Sequence, residues 1–527
     1  MSDKLPKGWA KTTLGEVCAR VPTIQPGVTP DSEFTYFDIG GIDNGTNRVV
    51  ETKTVTGRDA PSRARQAAQT GDILFSTVRT YLKKIARIER DYPNPVASTG
   101  FTVLRAAEGV SSQFLFCRVL SEDFLQPLHA LQTGSSYPAV RDKDVFAQPI
   151  PLPPTREQER IVTKLDALLS RVAAGEAAAR RALERLERYR AAVLHAAVTG
   201  DLTSEWRKTH KPDETGAQLL QRILKARREI WEATEFKRLC DAGKKPTDDK
   251  WKSRYEEPKP PRNDGLPELP KGWTSATIEQ ISFLVQYGSS SKTAKGTNGI
   301  PVLRMGNIVD GLIDASDLKF LSVNHAEFPA LLLCDGDLLF NRTNSMELVG
   351  KTVIYRGTPS PCSFASYLIR VRFLGGFAPE IAAHFINSAL GRDWILSVAS
   401  QQVGQANVNG SKLQSLTIPL PPQNEQMAIV REVERRFAAA NRLASTLNRQ
   451  LERARAMRQS LLRESFAGRL VQQNQNDEPA SVLLDRIRAA REAEAKQPKI
   501  KRTFPRHSRK VARSTSRSRS AMKENIP

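Results

Sequence analysis

Apolar residues recur every seven positions in two stretches of the chain, each of which follows the sequence Pro-Leu-Pro-Pro. The first stretch runs from about Glu157 to Val198, and the second lies 268 positions later. The recurring residues are Leu165, Val172, Ala179, Leu186 and Val193 in the first stretch, and Val433, Ala440, Leu447, Ala454 and Leu461 in the second. A period of seven with charged residues between is typical of a coiled-coil seam, and small alanines let a partner helix approach closely. The pattern predicts two long helices that pair with each other, antiparallel, although each helix packing on its neighbouring globule is an alternative.

The remaining segments show a different pattern, in which short apolar runs are interrupted by Gly, Pro, Asn and Asp. Runs such as GDILFSTV and GDLLFNRT are typical of strands joined by turns, and Pro379 to Val398 has a helical pattern. We therefore predict two α+β globules. The first globule is residues 1–150 and the second globule is residues 269–418.

The two halves of the chain are copies of one unit. Leu5-Pro6-Lys7-Gly8-Trp9 recurs from Leu269, GDILF at Gly71 recurs as GDLLF at Gly336, and IPLPP with a following Glu-Gln recurs from Ile418. The offset drifts only between 264 and 268 positions while the order of the blocks is kept. This preserved order indicates a tandem duplication, and two similar globules on helical spacers make a pseudo-two-fold object suited to a partner with two separated half-sites.

The repeat divides the chain into seven parts. The first copy contains the first globule (1–150), a first long helix (151–202) and a short helix from Gly216 to Cys240 with a linker (203–268). The second copy contains the second globule (269–418), a second long helix (419–471) and a short helix (472–498). A basic tail (499–527), which we expect to be disordered, follows. The predicted fold class is α+β: two homologous α+β domains separated by two long antiparallel coiled-coil helices, as a pseudo-two-fold tandem repeat.

Composition places this chain among proteins that are not embedded in membranes. No apolar run approaches the ~18 residues of a membrane span, and no secretory signal is recognisable. The five cysteines are odd in number and show no CxxC or CxxH spacing, which argues against disulfides and a zinc site. We expect reduced thiols, a cytoplasmic location and no bound metal.

The formal charge of +22 points toward a polyanionic partner, but the tail carries +9 of it. The remaining +13 is compatible with binding to phosphates without establishing it.

Catalytic motifs are missing from the sequence. Gly350-Lys351-Thr352 ends like a P-loop, but Ser345 occupies the position of its first glycine. Pro93-Asn94-Pro95-Val96 lacks the adjacent prolines and the aromatic residue of a DNA adenine methyltransferase motif, and the six histidines are scattered without ligand spacing. We predict no catalytic residue in this chain.

The order of these motifs resembles that of the specificity subunits of type I restriction-modification systems. The resemblance covers about residues 4 to 495: LPxGW opens a globule, GD[IL]LF lies within it, IPLPPxxEQ closes it, and a long helix ends near Gly200 or Gly468 before the plan repeats. It implies that the globules are target recognition domains, each reading one half of an asymmetric bipartite target in double-stranded DNA, with the helices setting the gap.

The resemblance also implies the partners. Two modification subunits would bind S-adenosylmethionine and methylate adenine, and two restriction subunits would hydrolyse ATP, with Mg, to translocate and cut DNA. This chain itself would bind no cofactor.

Polar loops are the candidates for DNA contact, because Arg, Asn, Gln, Ser, Thr and Lys can all match base edges. The loops at 76–81 and 133–137 have counterparts at 341–345 and 401–405 that differ in sequence while the flanking frame is kept, and LRMGNI adds a further option. The candidates are Ser76, Arg79, Thr80, Tyr81, Ser135, Ser136, Tyr137, Arg304, Asn307, Arg342, Asn344, Gln402 and Gln405. Solvated loops or self-satisfied turns would show the same pattern.

One alternative from another functional class stays open. A structural adaptor could bind protein through its globules and nucleic acid, without sequence preference, through the basic tail.

Overall fold

The structure is a computed structural model that describes residues 5–134, 136–262, 266–296, 298–309, 311–402 and 404–496. Its chain divides into two compact units. Unit 1 combines the residues up to Ala174 with those from Ala454 onward, and unit 2 is Gly175–Arg453. Each unit contains one globule. The predicted disorder of residues 499–527 lies outside the described residues.

The first globule consists of short strands and three short helices. These are β1 Ala10–Thr13, β2 Cys18–Ala19, β3 Glu33–Phe37, β4 Ile42–Asp43, β5 Arg48–Val49, β6 Lys53–Thr56, β7 Ala64–Ala67, β8 Ile73–Ser76, β9 Ile85–Arg87, β10 Pro95–Ser98, β11 Phe101–Ala106, α1 Ser112–Val119, α2 Glu122–Ala130, α3 Asp142–Phe146 and β12 Pro149–Leu152. Two four-stranded sheets have the orders β6-β3-β10-β7 and β2-β11-β8-β9. All four residues of β8 are buried, which explains its uninterrupted apolar sequence.

Between the globules lie α4 Thr155–Thr199, α5 Ser204–Thr209 and α6 Gly216–Asp241. The second globule then contains β13 Thr274–Thr277, α7 Ile278–Ile281, β14 Ser282–Tyr287, β15 Ile300–Leu303, β16 Ile308–Val309, β17 Leu312–Ile313, β18 Lys319–Leu321, β19 Leu338–Asn341, β20 Thr343–Asn344, β21 Thr352–Ile354, β22 Ser363–Phe364, β23 Leu368–Phe373, α8 Pro379–Asn387, α9 Ala389–Val398, β24 Ser400–Gln402, β25 Gln405–Asn407, α10 Gly410–Gln414 and β26 Thr417–Leu420. The chain continues with α11 Gln423–Phe466 and α12 Ala480–Lys496.

The second globule repeats the frame of the first. Its sheet β14-β23-β19-β21 corresponds to β2-β11-β8-β9, and β13 pairs with β26 as β1 pairs with β12. The helical stretch predicted from Pro379 to Val398 is two helices, because Ser388 leaves the helical conformation and its side chain caps α9 by accepting from the Gly391 N–H.

The aspartate of each GD motif is buried and pairs with an arginine of a neighbouring strand in this frame. Asp72 accepts from Arg105 Nε at 2.9 Å and Nη2 at 2.7 Å, and Asp337 accepts from the equivalent Arg372 at 2.7 Å from each nitrogen. Such bidentate pairs satisfy a carboxylate that burial would otherwise leave uncompensated. The preceding Gly71 and Gly336 have φ of +90° and +86°, which explains the glycine of the motif.

The LPKGW and PLPPxxEQ motifs meet at the start of each long helix. Trp273 Nε1 donates to Glu425 at 2.8 Å, and in unit 1 Trp9 opposes the rise in pKa that burial gives Glu157. Gln426 accepts from the Ala378 N–H at 2.7 Å, as Gln158 accepts from the Ser111 N–H at 2.8 Å. These repeated motifs therefore fasten each helix to its own globule.

The long helices begin later than the segments predicted for them from the sequence, which start at residues 151 and 419. The first residues of those segments finish β12 and β26, and the helices start at Thr155 and Gln423, after the prolines. Gly200 and Gly468 follow the helix ends with φ of +85° and +71°.

All ten predicted seam residues are buried or half-buried. In unit 1 the start of α4, at Ile161 and Leu165, shares a core with the end of α11, at Leu462 and Phe466. In unit 2 the order is reversed: the end of α4, at Val193 and Ala197, shares a core with the start of α11, at Ile429 and Val433. Within each unit the two helix segments are thus paired in opposite directions. The alternative of packing on a globule also holds at the helix ends, where the same cores include globule residues.

Each short helix packs on the globule of the other sequence copy. Helix α12, through Ala480, Leu483, Leu484 and Ile487, belongs to the core that contains Trp9 and Leu14. Helix α6, through Leu219 and Ile223, belongs to the core that contains Trp273 and Ile278. The backbone contact is the same in both units, because the Ala480 N–H donates to Gly8 O at 2.8 Å and the Gly216 N–H donates to Gly272 O at 2.7 Å.

The linker after α6 folds back on that helix instead of running free. Trp251 stacks on Trp231 with ring centroids 6.2 Å apart, and Tyr255 meets Trp231 edge-on with centroids 5.3 Å apart. Arg227 donates to the Tyr255 hydroxyl at 3.0 Å. In the described part of the chain, no helix combines the length and the apolar character that crossing a membrane requires.

Candidate nucleic-acid interface

The two candidate loops of the first globule form one continuous surface. Val78 bridges Ala139, the Val140 N–H donates to Thr77 O at 3.0 Å, and the Arg79 N–H donates to Pro138 O at 2.7 Å. We call residues 76–83, 132–134 and 136–140 the first reading edge. Segments some 50 residues apart in sequence are therefore presented together.

Three candidates of this edge project outward. Tyr81 and Tyr137 are 51% and 71% exposed, and Ser136 is exposed. The Arg79 guanidinium lies 4.7 Å from the centre of the Tyr137 ring and donates to Ser136 O at 3.0 Å. With Arg79, these three residues present a planar cation, two phenols and a hydroxyl, which can contact base edges and phosphates alike.

Two candidates of the same edge are buried and hydrogen-bonded within it. Ser76 is 1% exposed and donates to Val78 O, and Thr80 is 2% exposed and accepts from Gln132 at 2.9 Å. Their hydroxyls hold the edge in shape, and neither can reach DNA from this position. Ser135 lies outside the described residues.

The corresponding segments of the second globule are strands, where loops were predicted. Residues of β20, β25 and β24 form a three-stranded sheet in which Thr343 pairs with Asn407. The Val408 N–H donates to Arg342 O at 2.9 Å, as Val140 donates to Thr77. We call residues 341–346, 400–402 and 404–408 the second reading edge. The sequence did not predict these strands, because they are short, polar and lie at the surface.

The second edge also holds an arginine on a tyrosine. Arg342 lies 4.7 Å from the centre of the Tyr287 ring, and Tyr287 was not among the candidates. Asn344 is half-buried and accepts from the Ser345 N–H at 2.8 Å, while Gln405 is exposed. The strand contains Gln402, but its side chain is not among those described.

Beside this edge, a basic cleft of about 730 Å³ contains Asn344 and Arg304 in its lining. Sequence reasoning missed its other polar residues, which include Ser289, Ser290, Ser291, Lys292, Lys319 and Lys351. These residues come from separate elements, and no single motif in the sequence brings them together. The three lysines give the cleft the charge that DNA phosphates require.

The LRMGNI candidates have structural partners. Arg304 donates to Asp317 at 2.9 Å, and this contact lowers the pKa of Asp317. Asn307 is 4% exposed and donates to the carbonyls of Asp314 and Asp317 at 2.8 and 3.1 Å. The Asn307 amide is therefore buried and occupied within the globule, whereas Arg304 borders the cleft with its charge already paired.

One histidine stands in an arrangement that superficially suits catalysis. His325 Nε2 lies 3.1 Å from Ser291 Oγ, and its Nδ1 lies 3.5 Å from Glu327. However, the Glu327 N–H donates to Nδ1, so the neutral ring carries its proton on Nε2 and cannot take one from Ser291. Among the described residues, no group of three or more His, Cys, Asp or Glu could hold a metal.

Comparison with known proteins agrees with this organisation. The sequence model of the type I restriction modification DNA specificity domain matches residues 6–185 and again 270–453. The type I restriction enzyme EcoKI specificity subunit of Escherichia coli K12 is 28% identical over 401 residues, which cover 74% of each chain. The StySPI specificity subunit of Salmonella potsdam is 24% identical over 398 residues, covering 74% of this chain and 73% of that one.

A solved structure is similar along most of its length. It belongs to work on complex assembly and conformational transition of the type I R-M system, and it matches with a TM-score of 0.66 at 25% identity. The match covers 88% of this chain and 99% of that one.

Proposed function

This chain belongs to the family of type I restriction modification DNA specificity domains, and on that premise we propose that it reads a bipartite, asymmetric DNA target with one half-site for each globule. Its role is the recognition of DNA sequence, not catalysis. The observation that carries the two-half-site proposal is the pair of reading edges, which stand at equivalent places in one repeated frame and present different side chains. Different side chains on one frame suit two different base sequences.

We propose that the long helices set the number of unspecified base pairs between the half-sites. Helix α4 has 45 residues, which corresponds to about 68 Å at 1.5 Å per residue. The heptad pairing supports this role, because a paired helix resists bending more than a single one does.

We propose two modification and two restriction subunits as partners in a cytoplasmic complex. The modification subunits would bind S-adenosylmethionine and the restriction subunits ATP and Mg, while this chain would bind none of these. Exposed apolar side chains on the long helices, including Tyr189 and Leu443 in unit 2, support docking of a protein partner there. Leu443→Glu should reduce co-purification with the modification subunit, whereas Ser445→Glu, at an exposed position two residues away, should not.

Mapping of methylated adenines tests the whole proposal. The full chain, co-expressed with the modification subunit of its own system, should direct methylation to a two-part motif with a fixed gap. A motif without a gap, or methylation with no motif, would contradict the proposal.

The adaptor alternative makes a different prediction for a chain that ends at Gln497. If the globules read DNA, this chain keeps sequence-selective binding with a weaker salt dependence. Complete loss of DNA binding together with the tail would favour the adaptor.

A further inference from the structure

Each reading edge carries an arginine whose guanidinium lies over a tyrosine ring, and the two arginine–tyrosine pairs occupy different places in the frame. Both guanidinium groups lie 4.7 Å from their ring centres. The bridges Val78 to Ala139 and Thr343 to Asn407 align Arg79 with Asn344, and they align Arg342 with Thr77. The duplication preserved the frame, but the arginine of one globule does not align with the arginine of the other. An arginine over a tyrosine ring is therefore present in both globules at non-equivalent positions.

The backbone at Arg79 is held in a conformation that arginine seldom adopts. Arg79 has φ of +50° and ψ of +57°, and Lys83 on the other side of the short turn has φ of +51°. Hydrogen bonds hold this conformation, from the Arg79 N–H to Pro138 O at 2.7 Å and from the Leu82 N–H to Arg79 O at 2.8 Å. Unfavourable backbone of this kind is retained where the surrounding structure fixes a side chain for a task.

Neither guanidinium is neutralised within the part of the chain that the structure describes. No ion pair involves Arg79 or Arg342 there, whereas Arg105 and Arg304 are paired with aspartates. Arg79 makes one side-chain hydrogen bond, to Ser136 O, and its buried Nε has no acceptor. Arg342 reaches Ser366 O and Asn407 Oδ1 only at 3.5 Å each, and its Nε also has no acceptor. The buried Nε atoms are not accessible to an outside acceptor, but both groups keep Nη hydrogens that could donate to one.

A flat, fixed and unpaired guanidinium has a specific match in the DNA major groove. Two parallel N–H donors fit O6 and N7 of guanine, and this is the commonest specific contact between proteins and DNA bases. The tyrosine ring covers one face of the guanidinium and limits its movement, which reduces the entropy lost on binding. A phosphate contact would need the charge but not the plane.

We propose that Arg79 reads a guanine in the half-site of the first globule and that Arg342 reads a guanine in the other half-site, with Tyr137 and Tyr287 fixing the two guanidinium planes. This inference rests on the proposed function of the chain. Because the two arginines stand at different places in the frame, the two guanines occupy different positions within their half-sites.

Mapping of methylated adenines in the co-expressed complex tests the inference base by base. Arg79→Ala should relax a single guanine position in one half-site, lowering discrimination there by roughly tenfold or more, and should leave the other half-site unchanged. Arg342→Ala should do the same in the other half-site only.

Milder variants guard against loss of folding. Arg79→Lys keeps the charge but loses the two-pronged donor, so it should relax the same position in a protein that melts at the wild-type temperature. Arg90→Ala is the matched control, because Arg90 stacks on Tyr92 at 4.9 Å outside the reading edge and its loss should not alter the motif.

Three outcomes would overturn the inference. The first is an unchanged motif in both Arg79 variants, accompanied by uniformly weaker binding and a salt slope reduced by about one, which would identify a phosphate contact. The second is full retention of discrimination by Arg79→Lys. The third is a wild-type motif in which either half-site lacks guanine on both strands. A wild-type complex that methylates without a bipartite motif would instead refute the proposed function, so the two failures are distinguishable.

Discussion

The residues that repeat between the copies are mostly buried residues whose hydrogen bonds hold distant segments together. Trp273 with Glu425 joins the second globule to α11, and Asp337 with Arg372 joins two segments within that globule. The residues that differ between the copies at the reading edges include the exposed Tyr137 and Gln405. At the residue scale, repetition therefore identifies the frame, and variation on the frame identifies the surface available for specificity.

A buried histidine should make the second globule sensitive to mild acid. Burial lowers the pKa of His384 to about 4, with Glu380 opposing the shift. Because the unfolded pKa is ~6.5, the stability that comes from the neutral ring is complete above that value and is lost as the pH falls toward 4. Between pH 7 and pH 5 we expect a loss on the order of 1 to 2 kcal/mol, measured by hydrogen exchange of peptides from α8.

His384→Gln should flatten this pH dependence, because glutamine does not titrate. His195→Gln is the matched control, since that side chain is exposed on α4, and it should keep the wild-type slope. Equal slopes in wild type and His384→Gln would show that another group is responsible.

The candidate residues could be predicted in part. The reading-edge segments were identifiable because they interrupt a repeated frame, and the structure brings both segments of each edge together. The burial of Ser76, Thr80 and Asn307 could not be predicted, because polarity in a sequence does not reveal whether a hydroxyl or amide faces inward to satisfy the backbone. Tyr287 and the cleft lysines were missed because they come from other elements.

At the element scale, the long helices have a regular seam, but α4 contains a glycine that lowers its stability. Gly175 lies in the middle of α4, and a Cβ added there would meet no other atom within 4 Å. Gly175→Ala should therefore stabilise the protein by roughly 0.5 to 1 kcal/mol, because alanine loses less backbone entropy in a helix. Thermal unfolding followed by circular dichroism measures the effect.

The reverse change provides the comparison. Ala173→Gly, at an exposed position of the same helix, should destabilise by a similar amount. If Gly175→Ala lowers the melting temperature, the glycine is needed for a bend or a contact that this conformation does not contain.

The helices should determine the gap in the methylated motif. Arg190 donates to Asn441, so these two positions face each other in the antiparallel pairing of unit 2. Removing Arg180 to Leu186 together with Ser445 to Leu451 deletes one heptad from each helix and keeps the seam in register. Seven residues are about 10.5 Å of helix, and the gap should shorten by about three base pairs.

A four-residue deletion in each helix is the matched control for the gap experiment. It breaks the seven-residue period and should reduce methylation without giving a new gap. If the heptad deletion leaves the gap unchanged, the helices do not set it.

At the scale of the whole molecule, the compact units do not coincide with the sequence copies. Helix α12 belongs to the second copy but completes the core of the first globule through Leu483, Leu484 and Ile487. Asp477 adds an ion pair with Arg160 at 2.6 Å, and Arg491 donates to Gly15 O at 2.6 Å. Each unit thus needs residues from both copies.

Truncation should expose this dependence. A chain that ends at Val471 loses α12, and peptides from the first globule should lose protection in hydrogen exchange while those of the second globule keep theirs. A chain that ends at Gln497 retains α12 and is the control. Leu483→Ala and Leu219→Ala should each cost about 2 to 5 kcal/mol, but in different units. Equal protection of the first globule in both truncated chains would contradict the assignment.

The sequence by itself determined the duplication, the helices with their seam and the α+β character of the globules, because periodicity and turn residues are local signals that survive copying. Only the tertiary structure decided which helix completes which globule, which polar side chains face outward, and that arginine and tyrosine stack at each reading edge. Those features depend on contacts between residues far apart in the chain, and a linear pattern carries no record of which distant segments will meet.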